Sequence, residues 1–256
     1  MKHLWYFFLF TLIWLAPTIR AAEISVAVAA NFTKPMREIA QAFEKASGHT
    51  LKMSFGASGK FYAQIHNGAP FEVFFSADQE KPAALENDGL TVTGSRFTYA
   101  VGGLVLWSAK KGLEAGPEVL KSGRFNKLAL ANPKHAPYGA AAMEVLTRMG
   151  LLEQSRSKWV MGENIAQTFQ FIESGNADLG FIALSQVMEK GKILSGSSWV
   201  VPAELYPAVQ QDVVLLRKGE TNPAARDLLT FIRGVQATAI IESFGYGIAS
   251  TATETR

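Results

Sequence analysis

The chain has 256 residues and no cysteine, with 25 Lys plus Arg against 22 Asp plus Glu and 48% hydrophobic residues. That composition excludes disulfides, thiol nucleophiles, iron–sulfur clusters and cysteine-based zinc sites, and it does not describe a disordered chain. A net charge of +3 with no basic cluster among aromatics gives no support for a nucleic-acid partner.

The first 22 residues are a separate object. Lys2 and His3 lead into an apolar run from Leu4 to Ala16, interrupted only by Thr11, and Ala21-Ala22 follow Pro17 and Arg20. A basic start, an apolar run and a small-residue exit describe a secretory signal. The run is short of the roughly 20 apolar residues of a spanning helix. Residues 1–21 are the expected signal peptide, with cleavage after Ala21 or Ala22. Its removal takes Lys2 and Arg20 and leaves 23 basic against 22 acidic residues. The mature chain is then exported and nearly neutral, and a cysteine-free exported protein suits the bacterial periplasm.

Ile24–Val28 alternates as a strand, Ala29–Phe32 reads as a turn, and Thr33 is placed to cap a helix whose stripe is Met36, Ile39, Ala40 and Phe43. Gly48 ends that helix. The plan repeats: strand Leu51–Phe55, turn Gly56-Ala57-Ser58-Gly59, a short helix to Asn67-Gly68, strand Phe71–Phe75, helix Gln79–Asn87. Further on come strands at 103–108, 127–131 and 179–184, a loop over 132–139 into a helix through Met149, and a helix over 166–174. Strand Ala208–Leu216, with two Gln in its middle, and helices Pro223–Arg233 and Thr238–Phe244 close the chain. Alternating strands and helices predict parallel α/β sheets. Two lobes, with crossings near Thr98–Gly103 and Glu204–Asp212, account for the count.

In such sheets ligands sit beyond the carboxyl ends of strands, where helix amino ends present free N–H groups to anions. The turns Ala30-Asn31 and Ala57-Ser58-Gly59 fit that role, with Asn31 and Ser58 able to donate from side chain and backbone. Both also read as plain turn or capping residues. Gly59-Lys60 does not complete a phosphate loop, because Phe61 and Ser54 break the pattern. His66 and His135 are isolated and form no metal motif. Ser76-Ala77-Asp78 lacks a GxSxG elbow. A hydrolase using Ser76 or Ser58 would need one of those histidines within hydrogen-bond reach. Tyr99, Tyr138, Tyr206 and Tyr246 raise a ferric site as a further alternative, and an envelope interaction module would show no cleft between its lobes.

Asn67-Gly68-Ala69-Pro70-Phe71-Glu72-Val73-Phe74-Phe75-Ser76-Ala77-Asp78 resembles the "GAP-x-D-hydrophobic-F-x-SAD" stretch of periplasmic molybdate-binding proteins, the solute receptors of molybdate ABC transporters. Ala29–Phe32, Ser54–Gly59, Gly94–Ala100, Leu104–Trp107 and Ala136–Gly139 resemble that family in the same order, over about residues 23–250. The resemblance implies a two-lobe type II periplasmic binding protein, each lobe a mostly parallel sheet flanked by helices, with the ligand cleft between lobes. The expected division is 22–100 plus 208–256 for one lobe and 101–207 for the other.

It also implies a monomeric, non-enzymatic receptor without a cofactor. Its ligand would be molybdate or tungstate, and its partners a membrane permease and a cytoplasmic ATPase. Carried over by position, the ligand-binding residues are Asn31, Ser58, Tyr138 and, through its N–H, Ile165; any metal is held only as the oxyanion. Sulfate, phosphate and ferric ion are the alternative ligands. Three positions depart from the family pattern: Asn31 where many members have Ser, Ala183 where some have a Tyr donor, and Glu72 in place of Asp.

Overall fold

The structure is a computed structural model that describes residues 21–248. Apart from Ala21, the expected signal peptide lies outside the described residues. Strand β1 (Glu23–Ala29) passes through a 3-10 turn (Ala30–Phe32) into helix α1 (Thr33–Ser47). The α1 stripe of Met36, Ile39, Ala40 and Phe43 is buried, and Gly48 closes the helix at φ 75°, a left-handed cap suited to glycine. Thr33 does not cap the helix. The chain enters it through the 3-10 turn, and the Thr33 hydroxyl instead donates to the Ala30 carbonyl at 2.8 Å.

The first half continues with β2 (Thr50–Gly56), α2 (Ser58–His66), β3 (Val73–Phe75), α3 (Glu80–Asn87) and β4 (Phe97–Gly102). Gly103 alone separates β4 from β5 (Leu104–Ser108) in a second sheet. There follow α4 (Pro117–Ser122), β6 (Leu128–Ala131), α5 (Pro137–Arg148), α6 (Leu152–Ser155), β7 (Trp159–Gly162), α7 (Ile165–Glu173) and β8 (Leu179–Ala183). A small hairpin of β9 (Met188–Glu189) and β10 (Lys192–Ile193) precedes β11 (Ser197–Val200). The chain then returns to the first sheet as β12 (Val209–Leu215) and ends in α8 (Pro223–Arg233) and α9 (Val235–Ser243).

The first sheet has the order β2-β1-β3-β12-β4 and the second β11-β5-β8-β6-β7. In each sheet four strands run one way and one runs against them. The exceptions are β12 and β5, which pair antiparallel with both neighbours. Their direction follows from connectivity. A strand that reaches its sheet by crossing from the other lobe enters at the cleft edge and must run away from it. The remaining strands therefore all point their carboxyl ends, and the helix starts that follow them, at the space between the lobes.

Glu72 holds the β3 side of the first lobe. Its carboxylate accepts from the Ser25 N–H at 2.7 Å and from Asn222 Nδ2 at 2.9 Å, tying β1 to the start of α8. Strands β7 and β11 carry no run of alternating apolar residues. Both are edge strands and half exposed, so only one face needs to be apolar. Helix α5 starts at Pro137, inside the span expected to be loop, because proline is suited to a first helical position. Among the described residues no helix is long and apolar enough to cross a membrane.

Candidate functional site

Four helical turns converge on one small cavity between the lobes. They are the 3-10 turn after β1, α2 after β2, α5 after β6 and α7 after β7. The cavity is small, with about 10 Å³ of room for the centre of a water-sized group, and Asn31, Ser58, Tyr138, Asn164 and Ile165 line it together with small residues of both lobes. Ala29, Ala30 and Ala77 of the first lobe pack in one apolar cluster with Ala136 and Ile165 of the second. All four residues expected to bind ligand are thus brought together. No Lys, Arg, Asp or Glu is among the described residues that line the cavity.

The hydrogen-bond accounting at each helix start leaves the same kind of group free. At α2 the Gly59 N–H donates to the His135 carbonyl at 3.0 Å, and the Lys60 and Phe61 N–H groups donate to the Ala57 carbonyl. At α5, Pro137 has no N–H, and Gly139 and Ala140 donate to the Ala136 carbonyl. At α7 the Asn164 side chain accepts from Ala166 and Gln167 at 2.9 and 3.0 Å. What remains is the N–H of Ser58, Tyr138 and Ile165, and that of Asn31 in the 3-10 turn. Among the described residues none of these four has a protein acceptor. Each lies at a helix start, where partial positive charge gathers.

Ser58 adds a fifth donor. Its Oγ accepts from the Ala77 N–H at 2.9 Å, and among the described residues no protein group takes its proton. Asn31 departs from expectation. Both hydrogens of its side-chain amide point into the protein, to Gln211 Oε1 at 2.8 Å and to the Tyr246 hydroxyl at 2.9 Å. Only its backbone N–H is left for a ligand. Ala183 contributes no side-chain donor; its N–H is held by Gln186 Oε1, while Gln186 Nε2 donates to the Ile165 carbonyl at 3.0 Å.

Behind the cavity lies a buried polar network that the sequence reading passed over. The Tyr246 hydroxyl contacts the Asn31 carbonyl and Ser185 Oγ, both at 3.0 Å, and Ser185 Oγ donates to the same carbonyl at 2.9 Å. Burial pushes the Tyr99 and Tyr138 hydroxyls well above the usual phenol range and that of Tyr246 up to about 12. All three stay neutral and add no negative charge beside an anion. The signal for this network was the pair of Gln residues inside β12.

The serines do not form a hydrolase site. Ser76 Oγ donates to Asp78 Oδ1 at 3.3 Å, and that oxygen accepts the Lys81 N–H at the start of α3. His66 pairs with Asp88, and among the described residues no histidine bonds Ser58 or Ser76. Burial pushes the Asp78 carboxyl up against the pull of Lys81. Lys81 Nζ lies 3.2 Å from Asp78 Oδ2 but off the hydrogen-bond direction, so that oxygen has charge compensation without a donor.

Residues 24–247 match the family described as bacterial extracellular solute-binding protein. The chain belongs to this family of solute-binding proteins. Membership makes it a binding protein and not an enzyme. It is 56% identical over 235 residues to the molybdate-binding protein ModA of Azotobacter vinelandii, covering 91% of this chain and 93% of that one. It is 47% identical to the ModA of Rhodobacter capsulatus, covering 91% of each. The solved periplasmic molybdate-binding protein of A. vinelandii superposes with a TM-score of 0.85 at 41% identity, covering 88% of this chain and 99% of that one. Within the solute-binding family the chain therefore stands with the molybdate-binding members.

Proposed function

We propose that this protein captures molybdate or tungstate between its lobes and delivers it to a membrane permease driven by a cytoplasmic ATPase. The observation that carries the reading is the set of five neutral donors without a protein acceptor, four N–H groups and the Ser58 hydroxyl, on residues that line a cavity free of side-chain charge. Hydrogen bonds to a charged group contribute roughly 1.5–3 kcal/mol each, so such a set can hold a dianion without a counter-charge. The names of its relatives support molybdate. Tungstate, the permease and the ATPase come from the same family likeness. The lobes are 22–100 plus 208–256 and 101–207. The protein acts as an exported monomer after loss of its signal peptide, with no cofactor and no nucleic acid.

Molybdate and sulfate share charge and tetrahedral shape, so discrimination rests on cavity size. Calorimetric titration of the mature protein with molybdate, tungstate, sulfate and phosphate tests this. Tight binding of the first two and little of the others is expected. Equal affinity for sulfate would overturn the selectivity. Ser58→Ala removes one charge-assisted bond and should weaken molybdate binding by about ten- to a hundredfold. Unchanged affinity would remove Ser58 from the site.

A further inference from the structure

Gln211 is fully buried in β12 and touches both halves of the cavity without lining it. Its Oε1 accepts from Asn31 Nδ2 at 2.8 Å and from the Tyr99 hydroxyl at 3.0 Å. Its Nε2 donates to the Tyr138 hydroxyl at 3.0 Å. One side-chain amide thus grips the cavity turn of the first lobe and the leading helix of the second. The local backbone is built for this. Gln211 pairs with Ala100 and Asp212 with Thr98, so Tyr99 is the extra residue of a β-bulge, a device that re-aims a side chain.

Gly102 completes the arrangement. A Cβ there would stand 1.9 Å from the Tyr138 hydroxyl and 2.5 Å from Gln211 Nε2. The strands that carry Gly102 and Gln211 are β4 and β12, the two that join the lobes. The phenol of Tyr138 is therefore seated at the hinge, while its own N–H stands at the cavity.

We propose that Gln211, seated with the Tyr138 phenol over Gly102, is a positioning residue that sets the spacing between the Asn31 turn and the start of α5, and thereby the size of oxyanion the cavity accepts. This rests on the oxyanion reading above. Loss of Gln211 leaves the Tyr99 hydroxyl its bond to the Ser76 carbonyl and Asn31 its bond to Tyr246, with one Asn31 amide hydrogen left unpaired. Gln211→Leu is expected to fold.

The test is a double-mutant cycle of Gln211→Leu and Tyr138→Phe, read by calorimetry with molybdate and sulfate alongside ligand-free melting. Each single variant should weaken molybdate at least tenfold and reduce the molybdate-to-sulfate affinity ratio at least fivefold. The double variant should be no worse than the weaker single, because one linkage is broken in both. Additive losses, or a loss confined to melting temperature with affinity and ratio intact, would overturn the proposal. If Gln211→Leu does not fold, Tyr138→Phe alone decides, since it deletes one oxygen; an unchanged ratio sinks the idea. Failure of the wild-type protein to bind molybdate would instead sink the oxyanion reading.

Discussion

Tyr246 makes the sign of an alkaline response calculable. Burial raises its hydroxyl to about 12, against about 10 for an unfolded phenol. A group whose folded pKa is raised stabilises the fold fully below the unfolded pKa and loses that contribution as pH rises through the folded one. The window is therefore pH 10 to 12, and two pKa units correspond to about 2–3 kcal/mol. Tyr99 and Tyr138 shift in the same direction and steepen the decline. Denaturant unfolding at pH 8, 10 and 11.5 should show stability falling across the window. Tyr246→Phe should start lower at pH 8, because Asn31 Nδ2 and Ser185 lose a partner, and fall less steeply. An equal slope in the variant would mean that this hydroxyl is hydrated in the folded state.

At the scale of the element, Asn164 separates helix stability from ligand electrostatics. It lines the cavity and caps α7 through two N–H groups. Asn164→Ala should cost about 1 kcal/mol of stability, the usual loss of an N-cap. Asn164→Asp keeps an equally good cap but sets a negative charge beside the bound dianion. It should melt close to wild type and yet lose more molybdate affinity than the alanine variant. The reverse order in calorimetry would mean that α7 serves the site only by its rigidity. The same helix shows what could be read in advance. Ile165 was placed by motif, and its role as the one unclaimed N–H of its turn is a matter of local helix geometry, which sequence encodes well. Strands with an apolar stripe and the helix opened by Pro223 were legible for the same reason, whereas the start of α5 at Pro137 fell inside an expected loop. Edge strands β7 and β11, the reversed directions of β5 and β12, and the inward turn of the Asn31 amide were not. Each depends on partners far along the chain: Gln211 and Tyr246 lie 180 and 215 residues from Asn31.

On the scale of the whole molecule, direct bonds between the two lobes include three that involve the starts of α1 and α2. Gly59 N–H donates to the His135 carbonyl, Lys34 Nζ to the Gln186 carbonyl at 2.7 Å, and Lys60 pairs with Glu163 at the rim. Lys60 and Glu163 are about half exposed, so the pair is worth at most about 1 kcal/mol and weakens with salt. Its two members act alike on opening and oppositely on approach. Removing either one loosens the closed state and should speed oxyanion release by up to about fivefold at low salt. Lys60 attracts an incoming dianion and Glu163 repels it. Lys60→Ala should therefore slow association, and Glu163→Ala should hasten it, with the difference fading as ionic strength rises. Stopped-flow association and dissociation of molybdate at low and high salt measure both rates. If the two variants change association in the same direction, the rim does not steer the anion. The affinity would then rest on the uncharged donors of the four helix starts alone.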